Sequence, residues 1–210
     1  MGTAVAQPQP PAPPAEPDAP LDIRPATTPI EGFRKARFGM SEQQVRQAIQ
    51  SDFPAVASRL SRTTHPREKT TALTLTVEDL LPDVGPAQIS YILGYTSKRL
   101  VQVNIIWTSD GRTTARDEGI IAAANTLRDH FLMQYHPPDE IVANHQVGDN
   151  AILVFRATQA DGRMVLLLLT GTAAAGRVNR NPAPPPLTLQ LSYIRDHVHP
   201  DVFQIERGRF

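Results

Sequence analysis

The chain has no cysteine. That removes disulfides, thiolate metal sites and cysteine nucleophiles together, leaving any chemistry to Ser, Thr, His, Asp, Glu, Lys, Tyr or a bound cofactor. It has no net charge either, because 21 Lys and Arg balance 21 Asp and Glu. Without a global field to draw nucleic acid or an anionic membrane, a nucleic-acid partner is not expected. Long apolar runs are missing too. The longest, Met164 to Leu169, falls far short of the ~18 residues that a spanning helix needs, so no transmembrane segment is predicted. No G-x-S-x-G, H-E-x-x-H or phosphate-cradling glycine loop occurs, and Gly171 and Gly176 have a spacing that fits no phosphate fingerprint. Asp139 and Glu140, beside Pro137 and Pro138, are paired acids on a polar loop, which gives them no burial to separate their pKa values. Neither catalysis nor a cofactor is expected.

Proline, in contrast, is plentiful. Residues 7–29 hold nine of the 20 prolines, mixed with Ala, Gln and Glu and without apolar periodicity. This stretch reads as an extended or disordered arm, either a spacer or a ligand laid along a partner's surface. Ahead of it, Ala4-Val5-Ala6 has the small-x-small form that signal peptidase cleaves. It reads as the stump of an export signal, the alternative being a chance run of small residues; the expected location is periplasmic or secreted. Residues 1–29 are therefore set apart from the folded body.

The stretch from Gly32 to Phe53 brings several local signals together. Ser41 can cap a helix, with Gln44 as its capping-box partner and Met40 and Val45 as a hydrophobic staple. Val45, Ile49 and Phe53 recur at four-residue spacing and Pro54 follows, which predicts a helix over 42–53. Across residues 31–69, eight cations face four anions. Arg34, Lys35 and Arg37 form a basic shoulder that reads either as a solvated surface or as a dock for an acidic partner.

Alternation then predicts strands at Leu73 to Val77, Ile89 to Tyr95 and Val101 to Trp107, the last two forming a hairpin. The pattern starts over at Thr114, a candidate cap with Asp117 behind it. Ile120, Ala124, Leu127, Phe131 and Tyr135 make a second helical stripe. His130 and His136 flank the end of that helix, where its dipole favours a cation. Ile141 to Val147 is a candidate edge strand. Ala151 to Ala157 and Met164 to Thr170 are joined through Asp161-Gly162, a hairpin signal. Because its second strand is apolar on both faces, it is expected to be central and covered on both sides. Leu187, Leu189, Leu191 and Tyr193 alternate in a last strand, beyond the Gly/Ala- and Pro-rich loop 171–186.

The expected fold is α+β: two helix-plus-antiparallel-sheet units in tandem, 30–109 and 110–195, side by side or sharing one sheet, with a tail over 196–210. In that tail His197 and His199 form a weak candidate metal pair near Asp196 and Asp201, short of the third ligand that zinc or copper needs. Trp107, Tyr91, Tyr95 and Tyr193 share the apolar phase of their strands. They read as core or, on an uncovered face, as a binding surface.

The run Phe38-Gly39-Met40-Ser41-Glu42-Gln43-Gln44-Val45, followed by three alternating strands, resembles the small helix-plus-sheet modules of exported bacterial proteins such as BamE. The repeated layout is similar to that of the β-lactamase inhibitor protein. The chain departs from the first in lacking a lipid-bearing cysteine and having a second half, and from the second in lacking disulfides. The resemblance implies an exported, cofactor-free protein that acts by binding other proteins. One such role is the small subunit of an exported dehydrogenase complex. Candidate contacts with this larger exported partner are Arg34, Lys35, Arg37, Trp107, Phe203 and Phe210, with the arm and the tail. The alternatives are a carrier of a small apolar ligand and a metal-dependent hydrolase using His197 and His199.

Overall fold

The computed structural model describes residues 28–109, 114–135, 141–172 and 186–204. Most of the proline-rich arm, the acid pair Asp139 and Glu140, His136, most of loop 171–186 and Phe210 lie outside the described residues.

The chain enters through a minimal hairpin, β1 (Gly32–Phe33) with β2 (Ala36–Arg37). Gly32 has φ 138°, and a Cβ there would overlap the Ala36 carbonyl, so the turn requires glycine. Helix α1 (Glu42–Asp52) follows. Its Ser41 side chain accepts from the Gln44 amide while Gln44 Oε1 accepts from the Ser41 amide, the reciprocal capping box that the sequence predicts. Val45 and Ile49 are buried, and Phe53 closes the helix with its amide on the Ile49 carbonyl.

After a short 3-10 turn at Ala57–Arg59 comes β3 (Ser61–Thr64), all of it exposed and polar, so no alternation announced it. Strands β4 (Thr71–Val77), β5 (Ala87–Leu93) and β6 (Leu100–Thr108) form the predicted meander. Helix α2 (Thr114–Gln134) carries the predicted second stripe, with Ile120, Ala124 and Phe131 buried. Strand β7 (Ile141–Gln146) is the predicted edge strand, followed by β8 (Ala151–Thr158), β9 (Met164–Thr170) and β10 (Thr188–Ile194).

The main sheet has the order β3-β4-β5-β6-β10-β9-β8-β7 and is antiparallel throughout. Each half is a sequential meander. The two share one sheet because β10 pairs with β6 on one side and β9 on the other, setting Leu189 opposite both Trp107 and Leu169. The fold is α+β.

Both helices serve the same side of the sheet. Phe131 of α2 stacks near Phe155 of β8 at 5.4 Å, Tyr135 lies 6.2 Å from the same ring, and Phe33 of β1 meets Tyr193 of β10 at 5.9 Å. Val45, Ile49 and Phe53 join Leu73, Ile89, Tyr91 and Ile105 in one continuous core. Burial pushes the Tyr91 and Tyr193 hydroxyls up, and Tyr135 up to about 12.

Candidate functional site

A strand turns alternate residues to opposite faces, so the register assigns every side chain of the sheet to the helix side or the other side. On the other side, one cross-strand row reads Thr74, Ser90, Asn104, Ser192, Leu166 and Arg156 from β4 to β8. The next row reads Thr76, Gln88, Ile106, Gln190, Leu168 and Leu153. Strands β4, β5, β6 and β10 thus present amides and hydroxyls, Ile106 apart, and strands β9 and β8 present Leu166, Leu168 and Leu153 beside Arg156. The polar half is largely self-satisfied: Thr74 and Ser90 hydroxyls pair at 3.0 Å, Gln102 Nε2 donates to Asn104 Oδ1 at 2.8 Å, and Gln190 Nε2 donates to Ser192 Oγ at 3.0 Å.

No described helix lies on this side. Strand β9 was expected to be covered on both faces, and the burial pattern corrects that: Val165, Leu167 and Leu169 are buried under α2, while Leu166 and Leu168 are only half-buried. On the same face Ser192 and Leu153 are buried, at 1% and 8% exposed. Arg156, between Leu166 and Val142 in the register, is exposed and is the one cation among the described strand residues β4–β10 on this face.

At one end of the open face a strap crosses back. After Ile194 the chain runs over the ends of β6, β5 and β4, and two glycines make room for it. A Cβ at Gly94 would overlap Asp201 Oδ2, and one at Gly162 would crowd Asp196 Oδ1. Asp201 Oδ1 accepts from the Thr96 amide at 2.7 Å and Oδ2 from the Ser97 amide at 2.9 Å, while its own carbonyl accepts from Tyr95 N. The Phe203 amide donates to the Glu68 carbonyl, and its ring meets Tyr95 edge-on at 5.4 Å. Asp196 Oδ1 accepts from the Val198 and His199 amides at 3.0 and 2.9 Å.

These contacts set the two carboxyl groups below the usual range. For Asp196 the His199 amide contributes most. For Asp201 burial works upward, and the hydrogen bonds from Ser97 and Thr96 together outweigh it.

Between the strap and the sheet is a groove of about 480 Å³. Ile92, Gln102, Ile194 and Met164, one cross-strand row, form its floor, and Arg195, His197, His199 and Glu68 stand around it.

The candidate contact residues do not converge. Arg34, at φ 52°, lays its guanidinium 4.7 Å from the Phe53 ring centroid and 5.6 Å from Phe33. The Lys35 amide donates to Asp52 Oδ2 at 3.0 Å and its ammonium meets Ser51 Oγ, placing a cation at the C-terminus of a helix with no basic residue in its last turn. Arg37 is 3.7 Å from Glu31. The basic shoulder is therefore engaged with α1 and its entry hairpin, on the helix side. Trp107 is 2% exposed and faces the helices, so its ring is core and presents no contact surface; the covered face took the aromatics. Tyr91 is likewise core. Phe203 stands 40% exposed on the strap.

His197 and His199 are both on the strap but separately engaged. The His197 Nδ1–H donates to the Gly162 carbonyl at 2.8 Å, whereas His199 Nδ1 lies 3.7 Å from Asp196. Among the described residues no group of three or more His, Cys, Asp or Glu is placed to hold a metal ion. No described helix is long and apolar enough to cross a membrane. The residues that sequence reasoning missed are Met164, Leu166, Leu168, Ile194 and Arg156. For Met164, Leu166 and Leu168 the signal is the doubly apolar run of β9, which reads equally as a sign of burial.

Comparison of the chain with protein-family models, curated proteins and solved structures finds no match.

Proposed function

We propose that this chain is an exported, non-catalytic accessory subunit that docks a larger protein on the open face of its sheet. The small subunit of an exported dehydrogenase complex is one such role. The observation that carries the reading is an eight-stranded sheet that the described helices clothe on one side only. Eight strands at ~4.8 Å spacing and ~20 Å length offer roughly 700 Å², close to the ~800 Å² per partner of a standard interface. Its aliphatic half supplies the patch that desolvates, and its polar half supplies a rim of donors and acceptors. The fitting partner presents an apolar prominence and an acidic group to meet Arg156.

The test is affinity capture from the source cell's periplasm with the full chain and with Leu168→Asp. One dominant partner, lost in the variant while the melting temperature holds, is expected. Equal capture by both proteins refutes the reading.

The groove favours a second reading, a carrier of a small ligand with an apolar body, which would lie on Ile92, Ile194 and Met164. Native mass spectrometry of freshly purified protein decides it: a bound small molecule lost on Met164→Asp supports carriage, and a clean apo mass counts against it.

A further inference from the structure

We propose that the groove under the strap takes an amphiphilic anion, its apolar body laid across Ile92, Ile194 and Met164 and its acidic head, a carboxylate or its like, on Arg195. This rests on the groove being a ligand site, the second reading above, and it adds the class of ligand.

The floor sets the body. Ile92, Gln102, Ile194 and Met164 stand side by side on β5, β6, β10 and β9, three strand spacings or about 14 Å from end to end. All four are only half-buried, so each has surface left for a ligand to cover. Gln102 adds little polarity to the row, because its Nε2 donates to Asn104, further along β6 and away from the strap. At about 480 Å³ the groove has the size of a small-molecule site, for which about 300–1,000 Å³ is usual.

The rim sets the head. Besides the two histidines, four charged residues line the groove: Glu68, Arg195, Asp196 and Asp201. The two aspartates are committed to the backbone, Asp196 to the Val198 and His199 amides and Asp201 to those of Thr96 and Ser97. Glu68 lies in the β3–β4 connection, and β4 is three strands from the β10 end that carries Arg195. That is about 14 Å, beyond the ~8 Å over which exposed charges act in physiological salt.

Arg195 is left without a counter-charge. Its amide donates to the Val101 carbonyl, which fixes its base beside Ile194, while the exposed guanidinium has no hydrogen bond or ion pair among the described residues. A guanidinium is a permanent cation whose fork of donors matches a carboxylate in two hydrogen bonds. An uncharged ligand leaves that fork unused. A cationic one would have Glu68 alone, at the Ile92 end of the floor.

The protein's four methionines allow a direct test. The full chain, carrying 13C-methyl methionine, is titrated with decanoate, decanol and decylamine below their aggregation limits, and Met164→Leu assigns the Met164 signal. Decanoate is expected to move that methyl saturably and about tenfold more tightly than decanol, the low end for a hydrogen bond to a charged group because the head stays at a wet rim. Met133, exposed on α2, should not move. Arg195→Gln should bring decanoate down to the affinity of decanol and leave decanol unchanged, with Arg195→Lys, a charge without the fork, in between. From hexanoate to decanoate each added methylene should tighten binding about twofold to fourfold, full burial giving the upper figure. Decanoate no tighter than decanol or decylamine, or a preference that survives Arg195→Gln, overturns the proposal and leaves carriage standing. A Met164 methyl that none of the three moves overturns carriage itself, and the proposal with it.

Discussion

Asp201→Ala should loosen the strap by a calculable amount. The carboxylate satisfies the Thr96 and Ser97 amides at 2.7 and 2.9 Å, in the manner of a helix cap placed on a hairpin turn. Losing a capping side chain costs about 0.5–2 kcal/mol, and hydrogen bonds to a charged group reach about 1.5–3 kcal/mol. Water reaches these exposed amides once the carboxylate is gone, so a loss of about 1.5 kcal/mol is expected. For a domain of this size that is a fall in melting temperature of about 3–6 °C.

The pH dependence sharpens the test. The folded-state pKa of Asp201 lies below its ordinary value. Its contribution is therefore complete above the unfolded pKa and fades as pH falls through the folded one. Urea titrations of both proteins between about pH 7 and pH 2 should show a constant gap above about pH 5 that closes toward the acid end. A gap that is absent at pH 7, or that stays open under acid, refutes the latch. Asp201→Asn provides the intermediate case, because its amide oxygen can accept from one of the two amides while its NH2 faces the other.

Two further expectations follow from the same geometry. Gly94→Ala should cost about 1–3 kcal/mol by overlap with Asp201 Oδ2, and most of that cost should vanish in an Asp201→Ala background, a coupling that a double-mutant cycle in urea reads directly. Trp107→Phe should cost less than about 1.5 kcal/mol, since the ring stays apolar and the buried Nε1, which has no hydrogen-bond partner, goes with it; partner capture should be unaffected, and a loss of capture with an unchanged melt would put Trp107 back on the surface.

Where the fold was legible, the reasons are local. Ser41 and Gln44 cap α1 through contacts three residues apart, and the stripes through Val45, Ile49 and Phe131 bury one side of each helix. Strand β3 was illegible because Ser61 to Thr64 have nothing to bury. The strap was illegible for another reason: Asp201 and Thr96 are 105 residues apart. What joins them is a space at Gly94 and two backbone amides, which leave no periodic trace. The candidate face was hidden by an ambiguity in β9 itself. A strand apolar on both sides announces that both sides are dry, but not whether helix, partner or the rest of the chain keeps them so.

The sheet's order also bears on how the molecule comes to be made. Strand β10, which emerges from the ribosome after every other strand, is the one that bridges the two meanders. Until it arrives, β6 has a bare edge nine residues long, Leu100–Thr108, with no charge and no proline to deter a neighbour. Such an edge is a template for pairing with another nascent chain. Truncation before residue 188 would leave that template permanently exposed.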